Sequence, residues 1–278
     1  MAYPVLLIHG MWCTHRALDR IVELMAPRGY DCHAPSLPAH EPVPDQPLQV
    51  GARGIMEYVA FLEDYVRKQG FDRPPILIGH SMGGFLAQAL AARIETLAVV
   101  LLTPAVPAGI NGLRLSNLLT FAPHFLRWGF WRKGYKPTAA AVRRAAYNGL
   151  PAEQQQRLYE GLVHESGRAI TELGMWWADF GRAARVESAR VKCPVYIVSG
   201  GNDRLTPPAV VRKVAALYPQ AWVRHYANRC HWVVDDEETE EMVHSFCGWL
   251  RPFELKLERQ KADRPAQQPL LQARRVGG

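Results

Sequence analysis

The chain has 278 residues, 48% of them hydrophobic and 21% charged, a composition that supplies a substantial core and excludes general disorder, collagen and coiled coil. Its net charge of +7 is spread along the chain without a basic block interleaved with aromatics, which argues against nucleic acid as a partner. Cys13, Cys32, Cys193, Cys230 and Cys247 are odd in number and form no CxxC pair, so neither a disulfide framework nor a structural zinc site is expected, and a reducing compartment fits.

In chain order, Tyr3 to Ile8 reads as a buried strand ended by His9-Gly10. A cleavable signal peptide would remove part of that core, and no apolar run approaches the ~18 residues of a membrane span, so a cytoplasmic protein without stable membrane insertion is expected. Leu18, Ile21, Val22 and Met25 keep helical spacing up to Pro27 and Gly29, and a second strand begins near Tyr30. Residues 34–54 carry Pro35, Pro38, Pro42, Pro44 and Pro47, which predicts an exposed loop. Ile55, Tyr58, Val59, Leu62, Tyr65 and Val66 resume a helix. Pro75-Ile76-Leu77-Ile78 is a short buried strand, Phe85 to Arg93 a helix and Leu97 to Leu102 a strand. Further on come a strand at Pro194 to Val198, a helix through Val210, Val211, Val214, Leu217 and Tyr218, a strand at Ala221 to Tyr226, and a closing helix marked by Met242, Val243, Phe246 and Leu250.

This alternation predicts an α/β fold with a mostly parallel sheet of about six strands flanked by helices. It breaks once. Between Pro104 and Arg190 no strand is evident, and Phe121, Phe125, Trp128, Phe130, Trp131, Tyr147, Trp176 and Trp177 lie on helix-like segments. The expected organisation is therefore a core of residues 1–104 and 191–250, a helical lid over 105–190 and a polar, flexible tail over 251–278. The lid would lie over the strands' C-terminal edge, where open α/β sheets bind ligands. Its aromatics make Trp12, Trp128, Trp131, Trp176 and Trp232 candidate pocket residues. Its basic surplus suits either a carboxylate-bearing substrate or a solvated surface.

Gly79-His80-Ser81-Met82-Gly83 is a G-x-S-x-G between a predicted strand and a predicted helix. That context puts a serine hydroxyl on a tight, strained turn and leaves the Met82 amide at a helix start, where an oxyanion would form. A serine needs a histidine to take its proton and a carboxylate to orient that histidine. Asp203 follows the strand at Pro194 to Val198, and His231 follows the last strand, in the order Ser, acid, His. The rival acid position after Leu102 holds Thr103-Pro104-Ala105, His225 lies within a strand and His244 in the closing helix. Asp235, Asp236, Glu237 and Glu238 suit the N-terminus of the last helix. Met11, in the loop after the first strand, is the second candidate amide donor, and His9 and His80 read as structural. His164-Glu165 lacks the histidine that would complete a metal motif, because Arg168 stands there, so no metal or other cofactor is expected. Glu165 and Arg168 are placed to pair on a helix.

Leu6-Leu7-Ile8-His9-Gly10, Gly79-His80-Ser81-Met82-Gly83-Gly84, Gly201-Asn202-Asp203 and Cys230-His231-Trp232 together resemble the α/β-hydrolase superfamily over roughly residues 3 to 250. The resemblance implies the Ser81, His231, Asp203 triad and a serine carboxylesterase, lipase-like in its lid, acting on a partly apolar small-molecule ester. Thioesterase, lactonase and carbon–carbon hydrolase activities share the motifs, as does a ligand-binding receptor on the same fold. Haloalkane dehalogenases and epoxide hydrolases use aspartate where Ser81 stands. Hydroxynitrile lyases typically have threonine at the position of Gly10 and lysine at that of Trp232. Oligomeric state is left open by the sequence.

Overall fold

The structure, a computed structural model, describes residues 2–112 and 114–262. Strands β1 (Tyr3–Ile8), β2 (Tyr30–His33), β3 (Ile76–His80), β4 (Ala98–Leu102), β5 (Val195–Gly200) and β6 (Trp222–Tyr226) form one sheet in the order β2-β1-β3-β4-β5-β6. Every neighbouring pair is parallel. β1, β3, β4 and β5 are buried at every position, as a sheet covered on both faces demands. The edge strand β6 is mostly exposed.

Two cores result. On one face, α1 (Asp19–Met25) and α10 (Thr239–Ala262) pack Ile21, Met25, Phe246 and Leu250 against Leu7, Ile78 and Val100. On the other, α3 (Ile55–Gln69), α4 (Met82–Ala91) and α9 (Pro208–Ala215) pack Val59, Leu62, Leu86 and Val211 against Leu6, Leu77 and Ile197. The proline-rich segment carries a short helix that the sequence reading left out, α2 (Gln46–Val50), because Pro47 falls in its first turn, where no amide bond is forfeited.

Between β4 and β5 the chain runs through α5 (Leu115–Phe125), α6 (Ala139–Ala145), α7 (Ala152–Glu160) and α8 (Gly167–Gly174). The expected loose tail from residue 251 is corrected for its first part: α10 continues to Ala262, with Pro252 inside it. Glu254 is buried there, accepting from the Tyr30 hydroxyl at 2.6 Å, while its backbone carbonyl accepts from the Tyr3 hydroxyl at 2.9 Å. Residues 263–278 of the expected tail lie outside the described residues.

The strand order reverses between β1 and β3, where loops leave the sheet in opposite directions and a crevice opens. The His9-Gly10-Met11-Trp12 loop and Ser81 both emerge there.

Candidate active site

Ser81 is the single residue between β3 and α4, held at φ +55° and ψ −118°. Such backbone strain persists only where the surroundings enforce it. A Cβ on Gly79 would lie 2.1 Å from the Gly83 carbonyl oxygen, and one on Gly83 would lie 2.0 Å from that of Ile8. Glycine at both positions is what lets α4 close onto the sheet and fix the turn. The Ser81 amide donates to the Leu102 carbonyl at 3.0 Å, and its own carbonyl accepts from the Gly84, Phe85 and Ala105 amides. The backbone is therefore held by four residues while the hydroxyl stays available.

His231 comes from the loop after β6. Its carbonyl accepts from His80 Nε2 at 3.1 Å and Thr103 Oγ1 at 3.0 Å. The loop is braced by buried Arg229, which donates to Asp236 at 2.9 Å through Nε and to the Val233 carbonyl at 2.6 Å through Nη2. Of the acidic run expected at the last helix, Asp236 thus has a definite further partner.

Asp203 follows β5 and is buried. One carboxylate oxygen accepts from the Leu205 and Thr206 amides at 2.8 Å each, and the other from Thr206 Oγ1 at 2.8 Å and His231 Nδ1 at 2.9 Å. Burial alone would raise this carboxyl, but the facing His231 and the Thr206 donors outweigh it and hold it below the usual carboxylate range. An ionised Asp203 keeps the proton on Nδ1, so Nε2 accepts from Ser81 Oγ at 2.9 Å. The three side chains therefore form one hydrogen-bonded line.

His80 and His9 are buried beside this line. Burial and then His231 push His80 down to about 3, while burial and then His40 push His9 down to about 3. His9 Nδ1 donates to the Gly10 carbonyl at 2.9 Å and its Nε2 accepts from the Leu37 amide at 3.0 Å. The neutral ring thus shapes the loop around Gly10, where an added Cβ would stand 3.1 Å from that of Ser81. Among the described residues the Met11 and Met82 amides have no acceptor within the protein, and both residues line the same cavity as Ser81.

That cavity has a volume of about 420 Å³. Its walls include Phe121, Val142, Ile170, Leu173 and Leu205, and no Lys, Arg, Asp or Glu among the described residues. Trp12, Trp176 and Trp232 line it. Trp128 and Trp131 do not, which corrects the sequence expectation. α5 ends at Phe125, and Gly129 at φ +73° then turns the chain so that both indoles lie on the outer surface.

The expected Glu165–Arg168 pair is also absent: Arg168 bonds Glu172 at 2.8 Å, and Glu165 is buried against His40, Tyr58 and Ser166. Sequence reasoning missed Thr206, Thr103 and Arg229. Thr206, three residues after Asp203, carries a local signal in its side-chain turn pattern, whereas the partners of Thr103 and Arg229 are set by tertiary structure.

A strained serine at a strand-to-helix turn, on a parallel sheet, with a histidine and an aspartate in line behind it, defines the architecture of an α/β hydrolase. The model of the alpha/beta hydrolase family matches residues 5–244, and the chain belongs to that family. Among solved structures it is similar to the monoacylglycerol lipase of Paleococcus ferrophilus, at 20% identity over 90% of this chain and 94% of that one, with a TM-score of 0.67. A thermophilic esterase from Thermogutta terrifontis is similar at 19% identity over 91% of both chains, with a TM-score of 0.66. Tomato methylketone synthase I, solved with 2-tridecanone, is similar at 14% identity over 91% of this chain and 99% of that one, with a TM-score of 0.68. Identities this low establish a common fold and no more. No curated protein sequence matches the chain.

Proposed function

We propose that the chain is a serine hydrolase of carboxylic esters whose acyl group is apolar and uncharged. Ser81 attacks the ester carbonyl while His231 Nε2 takes its proton, and Asp203 stabilises the imidazolium that forms. The Met11 and Met82 amides receive the developing oxyanion. His231 then gives its proton to the leaving alcohol, and the acyl group stays on Ser81. Water, deprotonated by His231, releases the acid and restores the serine.

The observation that carries this reading is the pair of 2.9 Å contacts, Ser81 to His231 and His231 to Asp203, in the wall of a cavity with no Lys, Arg, Asp or Glu among the described residues. The same wall bears on the substrate. A carboxylate there would be desolvated with no Lys or Arg among the described lining residues to meet it, a cost of several kcal/mol, which favours an uncharged acyl group. The esterase and lipase named among similar structures agree with ester cleavage.

Burst kinetics with 4-nitrophenyl esters of graded acyl length, joined to intact-mass detection, test the reading. A wild-type burst with an acyl adduct, both lost in Ser81→Ala, is expected. Equal slow release by both proteins without adduct would remove the proposal.

A further inference from the structure

The insertion carries an apolar surface that the proposed chemistry does not use. Leu126 and Trp128 are each 87% exposed, Trp177 is 57% exposed and Trp131 41%. Large apolar side chains standing together in water mark a surface that is covered in use. This one is continuous with the cavity. Leu126 belongs both to the cavity wall and to the exterior. Phe125, also in the wall, contacts Phe130 with centroids 5.3 Å apart, Phe130 contacts Trp131 at 4.9 Å, and Trp131 contacts Trp128 at 5.8 Å. A second path runs from Trp176 in the wall to Trp177 outside, at 6.0 Å.

Charge identifies the occupant. The expectation of a surplus spread along the chain is corrected here: between Glu95 and Glu153 the sequence has no Asp or Glu, and its charged residues are all Lys or Arg. Arg127, Arg132 and Lys133 stand exposed among the indoles. None of the three pairs with a carboxylate among the described residues. Lys133 donates instead to the Trp128 carbonyl at 2.7 Å, and Arg127 to that of Gly134. Asp179, beside Trp177 and Phe180, is turned into its own loop, where it accepts from the Gly181 and Ala183 amides. A second copy of the chain would bring the same cations to a two-fold contact, so self-association through this face is opposed by like charge. A bilayer interface rich in anionic lipid offers what the surface lacks: an apolar layer at indole depth, with negative headgroups around it.

We propose that this face of the insertion, built on Leu126, Trp128 and Trp131 with Arg127, Arg132 and Lys133, docks the protein on anionic membrane surfaces and turns the cavity mouth toward the lipid. Docking is peripheral, since no helix among the described residues is long and apolar enough to cross a membrane. The apolar path through Leu126 then delivers substrate from the bilayer without a passage through water.

Co-sedimentation with vesicles tests this without reference to catalysis. The probes are vesicles of phosphatidylcholine alone and vesicles containing roughly one-third phosphatidylglycerol. The wild type binds the mixed vesicles, with a blue shift of tryptophan emission, and releases them as salt rises toward ~1 M. Trp128→Ser and, separately, Arg132→Glu with Lys133→Glu each lower the partition coefficient roughly tenfold or more. Both variants leave unchanged the turnover of a water-soluble short-chain ester, which confirms that they fold. Three results would overturn the proposal: no binding by the wild type, binding that neither variant weakens, or a wild-type dimer that Trp128→Ser converts to monomer.

Discussion

The Asp203 carboxylate accepts four hydrogen bonds in a buried site, and only one donor, His231, takes part in the proposed proton transfer. The other three hold the charge in place. Replacing Asp203 by Asn removes the charge and allows the wrong histidine tautomer, with an expected loss of about 10⁴-fold in kcat. Thr206→Val removes one donor and leaves the carboxylate ionised, so a loss of only about tenfold is expected, within the range of one charge-assisted bond. Pre-steady-state acylation rates of both variants check the order. His9 and His80 govern stability instead. Both stay neutral when folded down to about 3, against 6.5 for an ordinary histidine. Between those values the unfolded chain binds the extra protons, so stability is complete above about pH 6.5 and falls as pH drops. The slope is about 1.4 kcal/mol per pH unit for each ring. Urea unfolding between pH 7 and 5 measures it, and a His80→Asn variant is expected to have a shallower slope than the wild type.

The elements that position the site were legible in the sequence because their signals are local. Gly79, Ser81 and Gly83 announce a strand-to-helix turn by spacing alone, and the structure gives the reason: the gap between Gly83 and the Ile8 carbonyl leaves no room for a methyl group. Gly83→Ala is therefore expected to cost more than ~3 kcal/mol or abolish soluble expression. Gly248, in α10, has nothing within 4 Å of an added Cβ. Gly248→Ala is expected to raise stability by about 0.5–1 kcal/mol, which thermal unfolding of the two variants would compare. The second half of α10 was not legible, for the opposite reason. Residues 251–262 are rich in Arg, Glu and Lys, and local composition carries no sign that Glu254 is buried. Its partners, Tyr3 and Tyr30, lie at the other end of the chain. Trp128 and Trp131 show the same limit, since an indole on a predicted helical segment can face a cavity or a membrane, and only the turn at Gly129 decides.

At the scale of the whole molecule, the insertion is tied to the core through a buried polar cluster centred on Glu165. The residue itself pairs with Tyr135 in an isolated antiparallel bridge, and its carboxylate accepts from the Tyr58 hydroxyl at 2.9 Å and the Ser166 amide at 2.7 Å, with His40 Nε2 3.1 Å away. Two residues earlier, the Val163 amide donates to the Trp12 carbonyl at 2.7 Å, and His40 packs on His9 with ring centroids 5.1 Å apart. The cluster thus joins the insertion to the loop that carries Met11. Burial would lower the His40 pKa, but the Glu165 charge and hydrogen bond outweigh it and raise it above the ordinary value. The stabilisation from this ion pair is complete below about pH 6.5 and is lost as pH rises through the raised value, opposite in sign to the contribution of His9 and His80. Glu165→Gln keeps the oxygen that serves Tyr58 and Ser166, and it turns an amide N–H toward the neutral His40 ring, whose Nδ1 donates to the Pro38 carbonyl. Its stability is expected to stop declining on the alkaline side while the insertion stays attached. Glu165→Ala orphans the Tyr58 hydroxyl, the Ser166 amide and His40 together, at a cost of about 3–5 kcal/mol. Hydrogen exchange resolved by segment separates the cases. Faster exchange over residues 135–166 in the alanine variant alone is the expected result, and equal acceleration in both variants would mean that the charge itself holds the insertion in place.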